Sequence, residues 1–434
     1  RQFQIEHCRI FWWDAMTATE LSEMIALAQR LAAVNEPAVL ATLFSSRGST
    51  YRRLGSMMVS GPGGIIAGGV SGGCLEEYIA RHGRSIIEWR PSAMLSFDAD
   101  PDAADADKPV LGCGGSIEVL VERLTPEHIE FLQEVAVAHR ADHASSAAVI
   151  VETMGTQGFF VQRYCIQQQG GDSPLVPSPL YSGERVRVRG GSTNSAAQEK
   201  VPSPQPSPLS TGEREPESSL FRRSLNRLHR RVLASHESRH AILDATHQAL
   251  VHYIPPITRL VILGAGNDVH PLAALAQSLG WHVTVADRRA RLATRLRFAD
   301  ADEVIATGWE SAIARITFTR QTAVVMMTHS LADDIEILPL LCNKAMAYVG
   351  SLGPAHRRGW VLEGAAKVAS ISDEFVEKFR GPIGLNLGDR TATGIAVAII
   401  AEILAELNGR DAASLSQADD RQAGQSSDVV IHGR

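Results

Sequence analysis

The chain has 434 residues, 44% of them apolar and 21% charged, with a formal net charge of −6. That length exceeds the roughly 250 to 300 residues at which a single core stops growing, so two or three domains are expected. The mild negative charge excludes a global pull toward nucleic acid or an anionic membrane. The five cysteines, at 8, 74, 113, 165 and 342, form no C-x-x-C pair, which argues against a disulfide framework or a thiolate zinc site and for a reducing, cytoplasmic setting.

Near the start, "CRIFWW" is too short an apolar run for a membrane span or a signal-peptide core. Residues 17 to 34 put Leu21, Ile25 and Leu31 on one helical face behind a capping box of Thr17 and Glu20, which predicts a first helix. "PAVLATLFSS", "SMMVSG" and "GIIAGGV" read as three short strands of a small sheet, "CLEEYIARHGRSIIEW" as a helix, and "KPVLGCGGSIEVLVERL" as two strands broken by a glycine turn. The Asp-rich run "FDADPDAADADK" has the composition of a calcium loop. Counted from Asp98, however, it lacks the glycine and glutamate such a loop needs, so a solvated loop is expected.

From 166 to 240 Pro, Ser, Gly, Gln and Arg dominate, apolar periodicity disappears, and "PSPLYSGER" recurs as "PSPLSTGER". No fold is assigned to this stretch, and its basic tail "FRRSLNRLHRR" is read as solvated charge. The expected organisation is an N-terminal domain over 1–165, a disordered insertion over 166–240, a second domain over 241–410 and a disordered tail over 411–434.

From Ile257 strands and helices alternate. "RLVILGAG" reads as a buried strand, "VHPLAALAQSLG" as a helix closed by Gly280, and "WHVTVAD" as a second strand. "TAVVMMTH", "DIEILPLLCNKA" and "MAYVGSLG" repeat the pattern, so an α/β fold with a doubly wound, Rossmann-like parallel sheet is predicted behind the N-terminal α/β domain. "VILGAGNDVHP" carries a G-x-G turn, Gly264 and Gly266 with Asn267 beside them, between a strand and a helix whose unpaired N–H groups suit a pyrophosphate. Asp287, 21 residues after Gly266, stands where a dinucleotide's ribose hydroxyls would be held. The third glycine of that fingerprint is replaced by Val269, and Gly264 and Gly266 equally serve a tight turn with no nucleotide. His329, at the end of a strand, is a candidate acid, base or ligand, or a structural histidine. Asp333 and Asp334 would orient it or cap the next helix.

Three loops in the N-terminal half are rich in anion donors. In "GGVSGGCLEEYIA", Ser71, Gly72 and Gly73 precede Cys74 at a helix start, an arrangement suited to an anion nest beside a reactive thiolate. Gly112, Gly114 and Gly115 surround Cys113 in the same way, and "SSRGSTYRRLGS" supplies Ser49, Thr50, Arg52 and Arg53 for a phosphate. Against this, free cysteine is commonly buried and glycine pairs are common in turns. No Walker A, H-E-x-x-H or G-x-S-x-G sequence is present, so ATPase and hydrolase classes lose their usual evidence.

Taken together, "GSTYRRLGSMMV", "GGVSGGCLEE", "LGCGGSIEVLVE", "IPPITRLVILGAGNDV", "WHVTVADRRARLA", "ADADEVI", "VVMMTHSLADD", "YVGSLGPAHRR" and "GPIGLNLGDRTATGIAVAIIAEIL" resemble the XdhC/CoxI family of xanthine dehydrogenase accessory proteins. The resemblance implies a protein that binds molybdenum cofactor (molybdopterin), supports its sulfuration by a cysteine desulfurase and delivers it to a xanthine dehydrogenase-type molybdenum hydroxylase, rather than an enzyme in its own right. It implies that Arg52 and Arg53 bind phosphate, that residues 71–73 and 112–115 line the pocket, and that Cys74 or Cys113 lies near the molybdenum. On the same resemblance the Rossmann domain would hold the nucleotide part of a dinucleotide form of the cofactor or form the other wall of the cleft. The family's "TPEEIA" reads here "TATGIA", with Ala392, Thr393 and Gly394 replacing the proline and the acids. Homodimerisation suits a carrier, although no pattern requires it. The alternative is an NAD(P)-dependent oxidoreductase with Asp287 on the ribose and His329 as acid or base; a thiol-transfer enzyme acting through Cys74 overlaps the first reading.

Overall fold

The computed structural model describes residues 16–414 apart from 49, 90, 99–108, 110–114, 142, 154–158 and 167–216. Helix α1 (Ala18–Ala33) starts as its capping box dictates: Thr17 Oγ1 accepts the Glu20 N–H at 3.1 Å, and the Glu20 carboxylate accepts the Thr17 N–H at 2.8 Å. Its apolar face, Leu21, Met24, Leu27, Ala28 and Leu31, is buried.

The first sheet is antiparallel, built from β1 (Val39–Arg47), β2 (Met57–Ser60), β3 (Ile66–Gly68), β4 (Ser92–Phe97) and β5 (Ser116–Arg123) in the order β3-β2-β1-β5-β4. Alternate residues of β1 feed two cores. Val39, Ala41 and Leu43 pack under helix α2 (Glu76–Trp89), while Leu40 packs against α1 and helix α3 (Pro126–His139). With both faces covered, β1 reads as a continuous apolar run. Of the two strands expected in "KPVLGCGGSIEVLVERL" the second is β5, and 110–114 lie outside the described residues.

A second antiparallel sheet, β6 (Ser145–Thr153), β7 (Phe159–Ile166), β8 (Arg239–Ile242) and β9 (His247–Ile254), has the order β7-β6-β9-β8. Its Val149, Val151 and Leu250 pack on Phe44 and Leu120 of the first sheet. Arg163 of β7 reaches across to Glu122 of β5 at 2.9 Å and to Thr42 of β1 at 3.2 Å. Burial would raise the pKa of Glu122, but the Arg163 guanidinium outweighs it and holds the carboxyl down at about 2.

Part of the stretch expected to lack a fold is ordered. Helix α4 (Glu217–Ser235) buries Leu225, Leu228, His229 and Val232, and its apolar face lies on β6 and β9, so "FRRSLNRLHRR" is not a wholly solvated run. The arginines between those apolar positions hide the helical period. Strand β8, also inside 166–240, pairs with β9, so the boundary at 240 cuts a hairpin. The tail from 415 onward lies outside the described residues.

The third sheet is wholly parallel, as the alternation predicts. It contains β10 (Arg259–Leu263), β11 (His282–Ala286), β12 (Glu303–Ile305), β13 (Thr322–Met326), β14 (Tyr348–Ser351) and β15 (Phe379–Arg380) in the order β12-β11-β10-β13-β14-β15. Helices α5 (Val269–Ser278), α6 (Trp309–Arg315), α7 (Leu331–Leu341), α8 (Ala355–Ala366), α9 (Asp373–Lys378) and α10 (Ala392–Leu407) complete it, with separate apolar cores on its two faces. The chain runs outward from β10 to β12 and returns to β13, so the topological switch point lies between β10 and β13. No helix among the described residues is long and apolar enough to cross a membrane.

Candidate functional site

Register gathers the donor-rich loops. Thr42 pairs with Met57, Met58 with Gly68, Arg47 with Ser116 and Phe97 with Ile117, all antiparallel. The end of β1, the start of β2, the end of β3, the end of β4 and the start of β5 therefore share one end of the first sheet. The loops 48–56 and 69–75 and the segment 98–115 all leave from that end. Ser49, Gly112, Cys113 and Gly114 lie outside the described residues, while Gly115 is buried at the mouth of β5.

Two of the loops touch. A Cβ on Gly72 would stand 3.3 Å from the Tyr51 ring, and one on Gly69 would stand 3.5 Å from the Arg52 guanidinium. Arg52 is held by Glu20 at 2.8 Å. Burial would raise the Glu20 pKa, but the Thr17 N–H and Arg52 lower it overall, so the carboxylate that caps α1 also aims Arg52.

The nest expected around Gly72 and Gly73 is filled from within. The Glu76 carboxylate accepts the N–H groups of Val70 at 3.0 Å and Ser71 at 2.7 Å, together with the Ser71 hydroxyl. Ser71 Oγ in turn accepts the N–H groups of Gly73 at 3.2 Å and Leu75 at 3.1 Å. Burial alone would push the Glu76 pKa up, yet the Ser71 and Val70 donors bring it below its ordinary value. Outside this knot stand Tyr51, 66% exposed, the exposed Arg53 and Cys74, an exposed free thiol whose Sγ is 3.6 Å from Ser71 Oγ. No pattern in the sequence marks Glu20 as a site residue, and the cue to Glu76 is its place at the start of α2, five residues after Ser71.

The Rossmann edge is packed more tightly. Gly264 has φ 122°, and a Cβ there would fall 2.3 Å from the Met327 carbonyl oxygen, so this glycine is required where the ends of β10 and β13 meet. Asp287 is 1% exposed. Its Oδ1 accepts the Arg289 N–H at 2.8 Å and Nε–H at 2.9 Å, and its Oδ2 accepts the Ala265 N–H at 2.8 Å and Arg289 Nη2 at 2.6 Å. Burial would raise its pKa, but Arg289 and Ala265 depress it. A carboxylate offers about four lone-pair positions, and all four are used, so a ribose diol would have to displace Arg289. Asn267 Oδ1 accepts Arg297 Nη2 at 2.8 Å, and the same guanidinium donates to the Ala265 carbonyl.

Asp268 occupies the N-cap of α5, where a pyrophosphate would sit in a dinucleotide site, and a carboxylate there opposes an anion. It pairs with His329 Nε2 at 2.8 Å, so Gly266, Asp268 and His329 meet at the switch point. His329 has φ 58°, a conformation uncommon outside glycine. Asp333 and Asp334 do not orient it. Asp334 binds Thr328 at 2.6 Å and Arg357 at 2.7 Å, whereas Asp333 binds Arg288 at 2.8 Å and its N–H is capped by Ser330. At the start of α10, Thr391 caps the Gly394 N–H at 3.1 Å, and a Cβ on Gly394 would collide with the Asp389 carboxyl at 2.2 Å. Asp389 accepts the Thr391 N–H at 2.7 Å, so its carboxyl lies over the start of the helix at Gly394. No group of three or more His, Cys, Asp or Glu placed to hold a metal ion occurs among the described residues.

Comparison with known proteins agrees with the motifs. Residues 31–98 match the XdhC and CoxI family, and residues 260–403 match the XdhC Rossmann domain. A probable xanthine dehydrogenase subunit of Bacillus subtilis is 26% identical over 370 residues, 85% of this chain and 93% of that protein. The uncharacterized protein YqeB of Escherichia coli is 28% identical over 155 residues, 36% of this chain and 28% of that protein. A crystal structure of a xanthine dehydrogenase from Bacillus halodurans aligns with TM-score 0.62 at 22% identity, over 93% of this chain and 99% of that chain, a likeness of fold.

Proposed function

We propose that this chain, which carries both the XdhC and CoxI domain and the XdhC Rossmann domain, is an accessory protein of a xanthine dehydrogenase-type molybdoenzyme. It holds molybdenum cofactor at the loop end of the first sheet, supports its sulfuration by a cysteine desulfurase and hands it to the client enzyme. The supporting observation is the convergence of loops 48–56 and 69–75, with Arg53, Tyr51 and Cys74 exposed on them, while Glu20 holds the Arg52 guanidinium and Glu76 fixes the backbone of residues 70 and 71.

The residues present fit such a group. Molybdopterin brings a phosphate and a soft, dithiolene-held metal, which call for arginine and thiolate respectively. Arg53, with Arg52 beside it, would take the phosphate, the Tyr51 ring would cover a flat face, and the exposed Cys74 thiol would meet the soft centre. Glu76 acts through Ser71, fixing the turn that presents Cys74. The occupied Asp287 and the Asp268 carboxylate weigh against NAD(P) at the Rossmann turn.

The test is to purify the protein from cells competent in molybdopterin synthesis and to assay bound pterin and molybdenum, with Cys74→Ala and Cys113→Ala alongside. Pterin in the wild type with molybdenum lost from one cysteine variant is the expected result. A pterin-free protein that binds NAD tightly overturns the reading.

A further inference from the structure

The described residues hold one strongly basic helix face that the cofactor site does not use. Helix α4 is fixed in rotation by Leu225, Leu228 and Val232, which pack with Ala148, Ile150, Ala249 and Val251 of the second sheet. Its opposite face exposes Arg223, Arg227, Arg230 and Arg231, which with Asn226 and Ala234 fan out around a shallow groove of about 500 Å3. Positions 223, 227, 230 and 234 form one stripe at helical spacing.

No aspartate or glutamate interrupts the stretch from Ser218 to Ser235. Arg227, Arg230 and Arg231 make no ion pair with a described residue. Exposed helices ordinarily interleave such charges with acids three or four residues away, whereas like charges at these spacings repel. The helix dipole favours cations only in the last turn, so it does not account for Arg227. The whole chain, by contrast, is acidic, with net charge −6.

We propose that this arginine stripe docks a short acidic peptide segment of a partner protein. Arginine's planar fork takes a carboxylate bidentately. From Arg223 to Ala234 the helix extends ~17 Å, which an extended peptide of about five residues spans. A long polyanion or an anionic membrane would carry its field across the rest of this acidic chain, whereas a short acidic segment couples locally, within about one Debye length of ~8 Å.

The experiment is fluorescence anisotropy of fluorescein-labelled pentaglutamate titrated with the full chain at low salt. The expected result is saturable binding that weakens as salt rises and falls at least ~10-fold in Arg227→Glu/Arg230→Glu. Arg227→Ala/Arg230→Ala, at exposed positions, serves if the charge reversal does not fold, and circular dichroism checks both. No binding of the peptide, or unchanged affinity in the folded variants, overturns the proposal. So does tighter binding of a labelled oligothymidylate or of phosphatidylserine vesicles, lost in the same variants.

Discussion

Two glycine-rich loop clusters, each at the end of a sheet, look alike in sequence and differ in what they leave free. At the Rossmann edge Asp287, Arg289, Arg297 and Asn267 consume one another's hydrogen-bonding capacity, and Asp268 sets a negative charge where a phosphate would sit. At the end of the first sheet the inner donors are also consumed, by Glu76 and Ser71, but an outer layer of Arg53, Tyr51 and Cys74 remains. A glycine turn between strand and helix therefore marks a place where backbone N–H groups gather. Whether a ligand or a side chain takes them is decided by acceptors in the same turn, as Ser71 and Glu76, or across the sheet, as Asp287.

Acid should separate the two regions most. His252 lies under the first cluster, since a Cβ on Gly55 would stand 2.3 Å from its Nδ1. Burial pushes the pKa of His252 down to about 3, with neighbouring His139 adding to it, and burial pushes His139 and His229 down to about 4. These groups are neutral in the fold and bind protons more readily when unfolded. Their stabilisation is complete above the ordinary pKa of 6.5 and is lost as pH falls from there toward 4, by roughly 1.4 kcal/mol per pH unit for each histidine. Hydrogen exchange at pH 7 and pH 5 should show β6, β9 and α4 losing protection before β10 and β13; equal loss in both regions would break the contrast.

Next in size, Asp287→Ala removes the acceptor of three Arg289 donors and the Ala265 N–H, and should cost about 2 to 3 kcal/mol in urea unfolding. An unchanged midpoint would mean that Asp287 is held for a ligand and not for the turn. Glu76→Ala orphans the Val70 and Ser71 N–H groups and should cost about 1 to 3 kcal/mol by the same measurement, with faster exchange of residues 70–75. His329→Asn should be the mildest change, because its pair with Asp268 is largely exposed and worth at most about 1 kcal/mol. A larger loss would make the pair structural.

The parallel sheet was legible because its strands, buried on both faces, stand out as apolar runs closed by glycine, as in "RLVILGAG". The capping box of α1 was legible because its partners lie three residues apart. Helix α4 was not, since arginines between Leu225, Leu228 and Val232 mask the period. Of the first site, Arg52, Arg53 and Cys74 could be picked out by residue type and by their glycine neighbours. The second roles of Glu20 and Glu76, the pairing of Asp268 with His329 and the closure of Asp287 by Arg289 could not, because each depends on a turn or a neighbour that only tertiary structure supplies.

The central claim is that the cofactor sits at the end of the first sheet and not in the Rossmann turn. The most direct test is to quantify pterin co-purifying with the wild type, with Arg52→Glu/Arg53→Glu and with Asp268→Ala from the same molybdopterin-competent cells. Pterin retained by the wild type and Asp268→Ala but lost from the arginine variant is the predicted result. Pterin retained by a folded arginine variant, and raised in Asp268→Ala where the opposing carboxylate is gone, would contradict it.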